Sequence, residues 1–116
     1  MGNITPTLVL DRGAVQIWKW ASMGDDDTGL PVRCGPRSDV TVQVTGTPAS
    51  ETTTWQGTLD PDLSGYFPLT DQGGNAVEFT VVGGKMIAEA VYAIRPVTSG
   101  GSGTAIDCYA KLEHGG

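Results

Sequence analysis

Valine occupies every second position through Asp39-Val40-Thr41-Val42-Gln43-Val44-Thr45, with a polar residue between each pair. Side chains on a strand alternate faces, so this run turns one face to a core and the other to water. The pattern recurs. Val77, Phe79 and Val81 alternate with Glu78 and Thr80, and Ile106, Cys108, Ala110 and Leu112 alternate with Asp107, Tyr109 and Lys111. Further strands are expected over 14–20, 30–34, 53–58 and 66–70, giving about eight in all. Between them lie clusters of Gly, Pro, Asp and Asn. The 17 glycines and 7 prolines interrupt the chain too often for a coiled coil or a helical bundle.

One segment fits two periods. Over 85–94, Ile87, Val91 and Ile94 fall at helical spacing, while Ala88, Ala90, Tyr92 and Ile94 fall at strand spacing. It is bounded by Gly83-Gly84 and Arg95-Pro96, has no N-cap residue at its start and has strands on both sides. A short uncapped helix would depend on packing alone, so a strand is favoured.

Strands so spaced, without amphipathic crossover helices, bury their alternating faces best as two stacked sheets. The expected fold is all-β, an antiparallel, jelly-roll-like β-sandwich. Residues 13–112 form the single domain, 1–12 an N-terminal arm or an ordinary first strand, and 113–116 a fraying tail. The glycine-rich stretch 99–103 joins the last two strands, since residues 104–112 read as a core strand. With 39% hydrophobic and 17% charged residues the chain is suited to a packed core and not to disorder.

Thirteen acidic residues against seven basic ones give a charge of −6, and no basic stripe is present to neutralise a phosphate backbone. Nucleic acid is therefore excluded as an expected partner. No apolar run approaches the roughly 18 residues that cross a bilayer, and residues 1–6 lack the marks of a secretory signal, so no membrane partner and a cytoplasmic site of synthesis are expected. Cys34 and Cys108 have no CxxC spacing, and in a reducing compartment the default is two buried thiols, with a disulfide as the alternative.

The inventory for chemistry is thin. The only histidine, His114, lies in the last three residues, where a base has no fixed position. No phosphate-binding glycine motif or metal-binding HExxH motif occurs. No catalytic residue, cofactor or metal is expected, and the protein is read as not an enzyme. Two acidic stretches compete with that reading. Asp60, Asp62 and Ser64 with Gly65 and the later Asp71 match the spacing of a calcium loop, but Pro61 and the strand-like flanks favour a surface turn. Asp25, Asp26 and Asp27 read as an exposed loop tip, with a cation or a basic partner surface as the sharper alternative. Trp18 and Trp20 share a strand face opposite Val15 and Ile17, so they are candidates for an interface or a sugar-stacking platform, as are Leu8 and Leu10 for an interface.

Taken together, Ser38 to Thr47, Trp55-Gln56-Gly57-Thr58, Phe67-Pro68-Leu69-Thr70-Asp71, Gly74-Asn75 and Tyr92 to Gly101 resemble small β-sandwich proteins encoded among the virion genes of tailed bacteriophages. Within that group the chain is most similar to capsid decoration, or cement, proteins, over about residues 13–112. The stretch Leu59 to Gly65 departs from the resemblance, since related chains carry a shorter turn there. The resemblance implies a structural virion protein on the capsid exterior that binds the major capsid protein, as a dimer or other homo-oligomer, and clamps capsid subunits together. Many copies on one lattice turn modest contacts into durable attachment. A carbohydrate-binding attachment module and a head-completion or tail-tube component are the alternatives.

Overall fold

Val40, Val42 and Val44 are buried, and Thr41 and Gln43 between them are exposed, so the valine alternation sets the inner and outer faces of a sheet. The structure is a computed structural model that describes residues 2–35, 39–49, 51–101 and 103–113. The strand carrying these valines, β6 (Asp39–Thr47), pairs antiparallel with β12 (Ala105–Glu113), and β12 pairs with β3 (Val15–Met23). Strands β10 (Gly83–Met86) and β2 (Thr7–Asp11) close the two edges, giving a five-stranded sheet in the order β10-β6-β12-β3-β2. As the alternation predicts, Ile106, Cys108, Ala110 and Leu112 all face the core.

The opposing sheet is built on β7 (Thr52–Thr58) and β11 (Ala93–Ser99), which pair antiparallel along their whole length. Around them lie β1 (Gly2–Ile4), β4 (Asp27–Gly29), β5 (Val32–Arg33), β8 (Phe67–Pro68) and β9 (Glu78–Phe79), seven strands in total. The two sheets bury one shared core, and the fold is an all-β sandwich without a helix among the described residues. The N-terminal segment serves both layers. Residues of β1 pair in parallel with β4, and β2 then pairs with β3 in the other sheet.

At the centre, Trp20 of one sheet and Trp55 of the other meet edge to face, with ring centroids 5.5 Å apart and planes at 77°. Both rings are fully buried. The Trp20 indole N–H donates to the Leu30 carbonyl at 2.8 Å, so its polar atom is satisfied inside the core. Gly29 passes directly beneath. A Cβ there would lie 2.6 Å from Pro96 Cδ and 2.8 Å from Trp20 Cδ1, and only glycine leaves room for both rings.

Several elements differ in detail from the sequence expectation, each for a local reason. Val81, expected on the inner face, is 68% exposed, because the chain bends away after Phe79 before β10 begins. The strand over 30–34 shrinks to Val32–Arg33, and that over 66–70 to Phe67–Pro68 with an isolated bridge from Thr70 to Ala76 beyond it. Segment 85–94 holds no helix, yet it is not one strand either. Lys85 and Met86 end β10, Ile87 bridges to Asp71, and the chain bends until Ala93 opens β11. Arg95-Pro96, which bounds that segment in the sequence reading, lies inside β11. Proline is tolerated there because the ladder away from β7 pairs Ile94 with Val32 and Val97 with Thr28, leaving a break beside residues 95 and 96.

Strand β3 likewise runs past Trp20. A bulge sets Ala21 and Ser22 opposite Asp107, with Ser22 at φ 57° and its N–H donating to the Asp107 carboxylate at 2.9 Å. The extra residue resets the phase, so Trp20 and Met23 both point inward.

Gly29→Ala should destabilise the fold by about 1–3 kcal/mol through overpacking at the Trp20–Pro96 contact. Urea unfolding checks this, and an unchanged midpoint would contradict the packing described.

Candidate functional site

The outer face of the five-stranded sheet is not flat. Pairing places Ile17 opposite Lys111, Lys19 opposite Tyr109, Tyr109 opposite Gln43 and Lys111 opposite Thr41, so these side chains share the side away from the core. A bulge in β2 between Leu8 and Leu10 brings Val9 and Leu10 to the same side. All of these except Lys19, together with Gly84 of β10, line an open groove of about 600 Å³. Val9 is 50% exposed, and Met86, paired with Thr41 at the opposite edge, is 42% exposed. The groove is apolar at its rims and amphipathic along its floor.

Polar groups in the groove and beside it are held in place. Lys19 Nζ lies 3.7 Å from the Asp107 carboxylate and 5.5 Å from the centre of the Tyr109 ring. A hydrogen bond with Tyr109 and the nearby Asp107 charge hold the lysine above its ordinary pKa. Lys111 Nζ lies 3.4 Å from Glu113. Of the two leucine candidates, Leu10 lies in this groove, while Leu8, opposite Trp18, is 38% exposed at the edge of the sheet.

The acidic run Asp25-Asp26-Asp27 does a different job. Asp25 accepts hydrogen bonds from the Gly103 and Thr104 amides at 3.2 and 3.1 Å, Asp26 from Gly100 at 3.3 Å, and Asp27 from Gly24 at 2.6 Å. Three adjacent carboxylates thus satisfy backbone donors in the turn before β4 and in the glycine-rich connection between β11 and β12. On the other side of that connection, the buried Glu51 accepts from the Gly101 amide at 2.8 Å. Hydrogen bonds from the Thr104 side chain and backbone, with Gly103, hold the Asp25 carboxyl below its ordinary pKa despite some desolvation.

The calcium-like residues are divided between two turns. Asp60 accepts from the Asp62 amide at 2.9 Å and from the Ser64 hydroxyl, closing its own turn with Leu63 at φ 62°. Asp71 accepts from the Gly73 and Asn75 amides at 2.9 and 3.0 Å in a separate turn, with Lys85 Nζ 3.6 Å away. The Asp60 and Asp71 carboxylates are each committed within their own turn. Among the described residues, no group of three or more His, Cys, Asp or Glu side chains could hold a metal ion. His114 lies outside the described residues.

Of the two tryptophan candidates, burial removes Trp20 from any surface. Trp20 and Trp55 are core residues, and Trp18 is partly buried against that core with its indole N–H donating to Gln16 at 3.3 Å. Alternation puts Trp18 and Trp20 on one face, and that face is the inner one. What sequence reasoning misses is the outer face itself. In the sequence Val15 and Ile17 mark only the face opposite the tryptophans, and the β2 bulge that opens the groove leaves no periodic signal.

The comparisons with known proteins bear on the fold. No protein-family model and no curated protein matches the sequence. Among solved structures, the chain is similar to the SPBc2 prophage-derived protein YomS, with a TM-score of 0.64 at 8% identity, over 89% of this chain and 97% of that one. At that identity the likeness establishes a shared sandwich architecture.

The buried thiols have two measurable consequences. Cys34 and Cys108 are free and buried, and desolvation pushes their pKa values up from 9.0 to about 11 and about 12, with the Asp107 charge adding to the second. Neither thiol should react with a disulfide reagent at pH 8 in the folded protein, and both should react in denaturant. Because these acids ionise more readily when unfolded, the stability they contribute is complete below pH 9 and is lost as pH rises toward 11 and 12. Rapid labelling of the native protein would contradict the burial. Asp25→Ala should speed amide exchange at Gly103 and Thr104 specifically, and unchanged protection there would remove the role given to Asp25.

Proposed function

We propose that this chain is a structural virion protein of a tailed bacteriophage, which binds the outside of the capsid and stabilises contacts between major capsid protein subunits. The observation that carries the reading is the groove on the outer face of the five-stranded sheet, rimmed by Val9, Leu10 and Ile17. Apolar rims over a floor of Tyr109, Gln43 and Thr41 suit a protein partner, which removes the rims from water and satisfies the floor. Two further points support it. The sandwich is shared with a prophage-derived protein, and the strand and turn motifs resemble those of decoration proteins. The chain acts by contact and not by catalysis, is assembled in the bacterial cytoplasm, and sits in many copies as a homo-oligomer on the capsid exterior. A glycan-binding module is the weaker reading, because Trp20 and Trp55 are buried. A head-completion or tail component differs by its small copy number.

Particles lacking the chain should release DNA at a lower temperature than complete ones, and adding back the purified protein should restore the difference. Val9→Glu, at a half-exposed position, should fold normally yet fail to restore it. Equal heat resistance with and without the chain would remove the cementing role.

A further inference from the structure

The opposite outer face carries a second feature, independent of the groove. Arg33 pairs with Ala93, and Arg95 lies two residues further along β11 opposite Gln56, so both arginines share the face of the seven-stranded sheet away from the core. Each is oriented through its Nε. Arg33 donates to the Tyr92 hydroxyl at 3.2 Å, and Arg95 donates to Gln56 Oε1 at 3.0 Å while its guanidinium stacks 3.7 Å from the centre of the Tyr66 ring. Tyr92 is itself fixed by its backbone, which accepts from the Cys34 amide and donates to the Thr58 carbonyl.

These arginines have no carboxylate partner among the described residues, although the chain carries 13 acidic residues against 7 basic ones. The ion pairs among the described residues all belong to lysines: Lys19 with Asp107, Lys85 with Asp71 and Lys111 with Glu113. The acidic runs are committed to backbone amides elsewhere, as described for Asp25 to Asp27 and for Asp60. A guanidinium held by one Nε bond keeps four Nη hydrogens in a planar fork, the geometry that matches a carboxylate bidentately. The Tyr66 hydroxyl is also buried without a hydrogen-bond partner among the described residues. Burial raises the Tyr66 pKa, against the opposing pull of Arg95 and Arg33, so it remains a donor at neutral pH.

We propose that Arg33 and Arg95, framed by Tyr66 and Tyr92, form a carboxylate-binding site that receives Asp or Glu side chains from an acidic segment of a partner protein. Charge complementarity selects this occupant. Two oriented arginines match one or two carboxylates, whereas a nucleic acid needs many phosphate contacts and meets a molecule of charge −6. At physiological salt the more distant negative charge is screened beyond roughly 8 Å, so the local pair governs recognition.

The test is an NMR titration of the full chain with a blocked tetraglutamate peptide. Saturable shifts are expected at Arg33, Gln56, Tyr66, Tyr92 and Arg95, with millimolar affinity that weakens as salt is raised. Arg95→Gln and Arg95→Lys should each weaken binding by about tenfold, the second because the fork is lost while the charge is kept. Arg33→Gln removes an exposed side chain and keeps the test decisive should the Arg95 variants unfold. Lys111→Gln, on the other face, should leave the affinity for this peptide unchanged. Absence of saturation, equal weakening by Lys111→Gln, or tighter binding of a single-stranded oligonucleotide at the same residues would each overturn the proposal.

Discussion

The contact between Trp20 and Trp55 decides whether two sheets become one molecule. Each ring fills the space between layers that a smaller side chain would leave as a cavity, and removing such a ring typically costs about 3–5 kcal/mol. The contact is possible because Gly29 has no side chain beneath Trp20 and Pro96, and because the ladder opens beside Pro96. With the layers locked, both outer faces become rigid platforms, and little ordering remains to oppose binding.

Acidic residues in this chain are mostly structural. Asp25, Asp26, Asp27, Asp60 and Asp71 accept backbone amides where the chain turns, and Glu89 accepts both the amide and the hydroxyl of Thr70. Burial works against the Glu89 charge, and those two bonds together with one from its own backbone outweigh it, leaving the carboxyl below its ordinary pKa. The same commitment explains the distribution of positive charge. Lysines meet carboxylates at the sheet edges and on the groove side, while Arg33 and Arg95 are oriented only by neutral groups and aromatic rings. The two outer faces therefore differ in kind, one amphipathic with apolar rims and the other polar and cationic.

Much of the architecture is legible in the alternation of residues 39–45 and 106–112, because a half-buried strand writes its two faces directly into the sequence. The two-layer fold and the buried Cys108 thiol can be read from that pattern. Illegible parts share one cause, namely departures from strict alternation. The bulge at Ala21-Ser22 extends β3 beyond Trp20, the bulge at Val9 shapes the groove, and Pro96 continues a strand it would ordinarily end. The first and third depend on strands far away in sequence, and the Val9 bulge on the register of its hairpin with β3. The candidate surfaces are harder still. An exposed face shows in sequence only as polar alternation, and Arg33 and Arg95, separated by 62 positions, meet only through the pairing of β5 with β11.

In the proposed function, the outer face of the five-stranded sheet is the surface that meets the capsid. A density map of capsids assembled with the chain present tests it directly. The expected result is the chain in stoichiometric contact with major capsid protein, with Val9, Leu10, Ile17 and Tyr109 covered at the junction. Capsids that carry none of it, or contacts that leave this groove open to solvent, would contradict the claim.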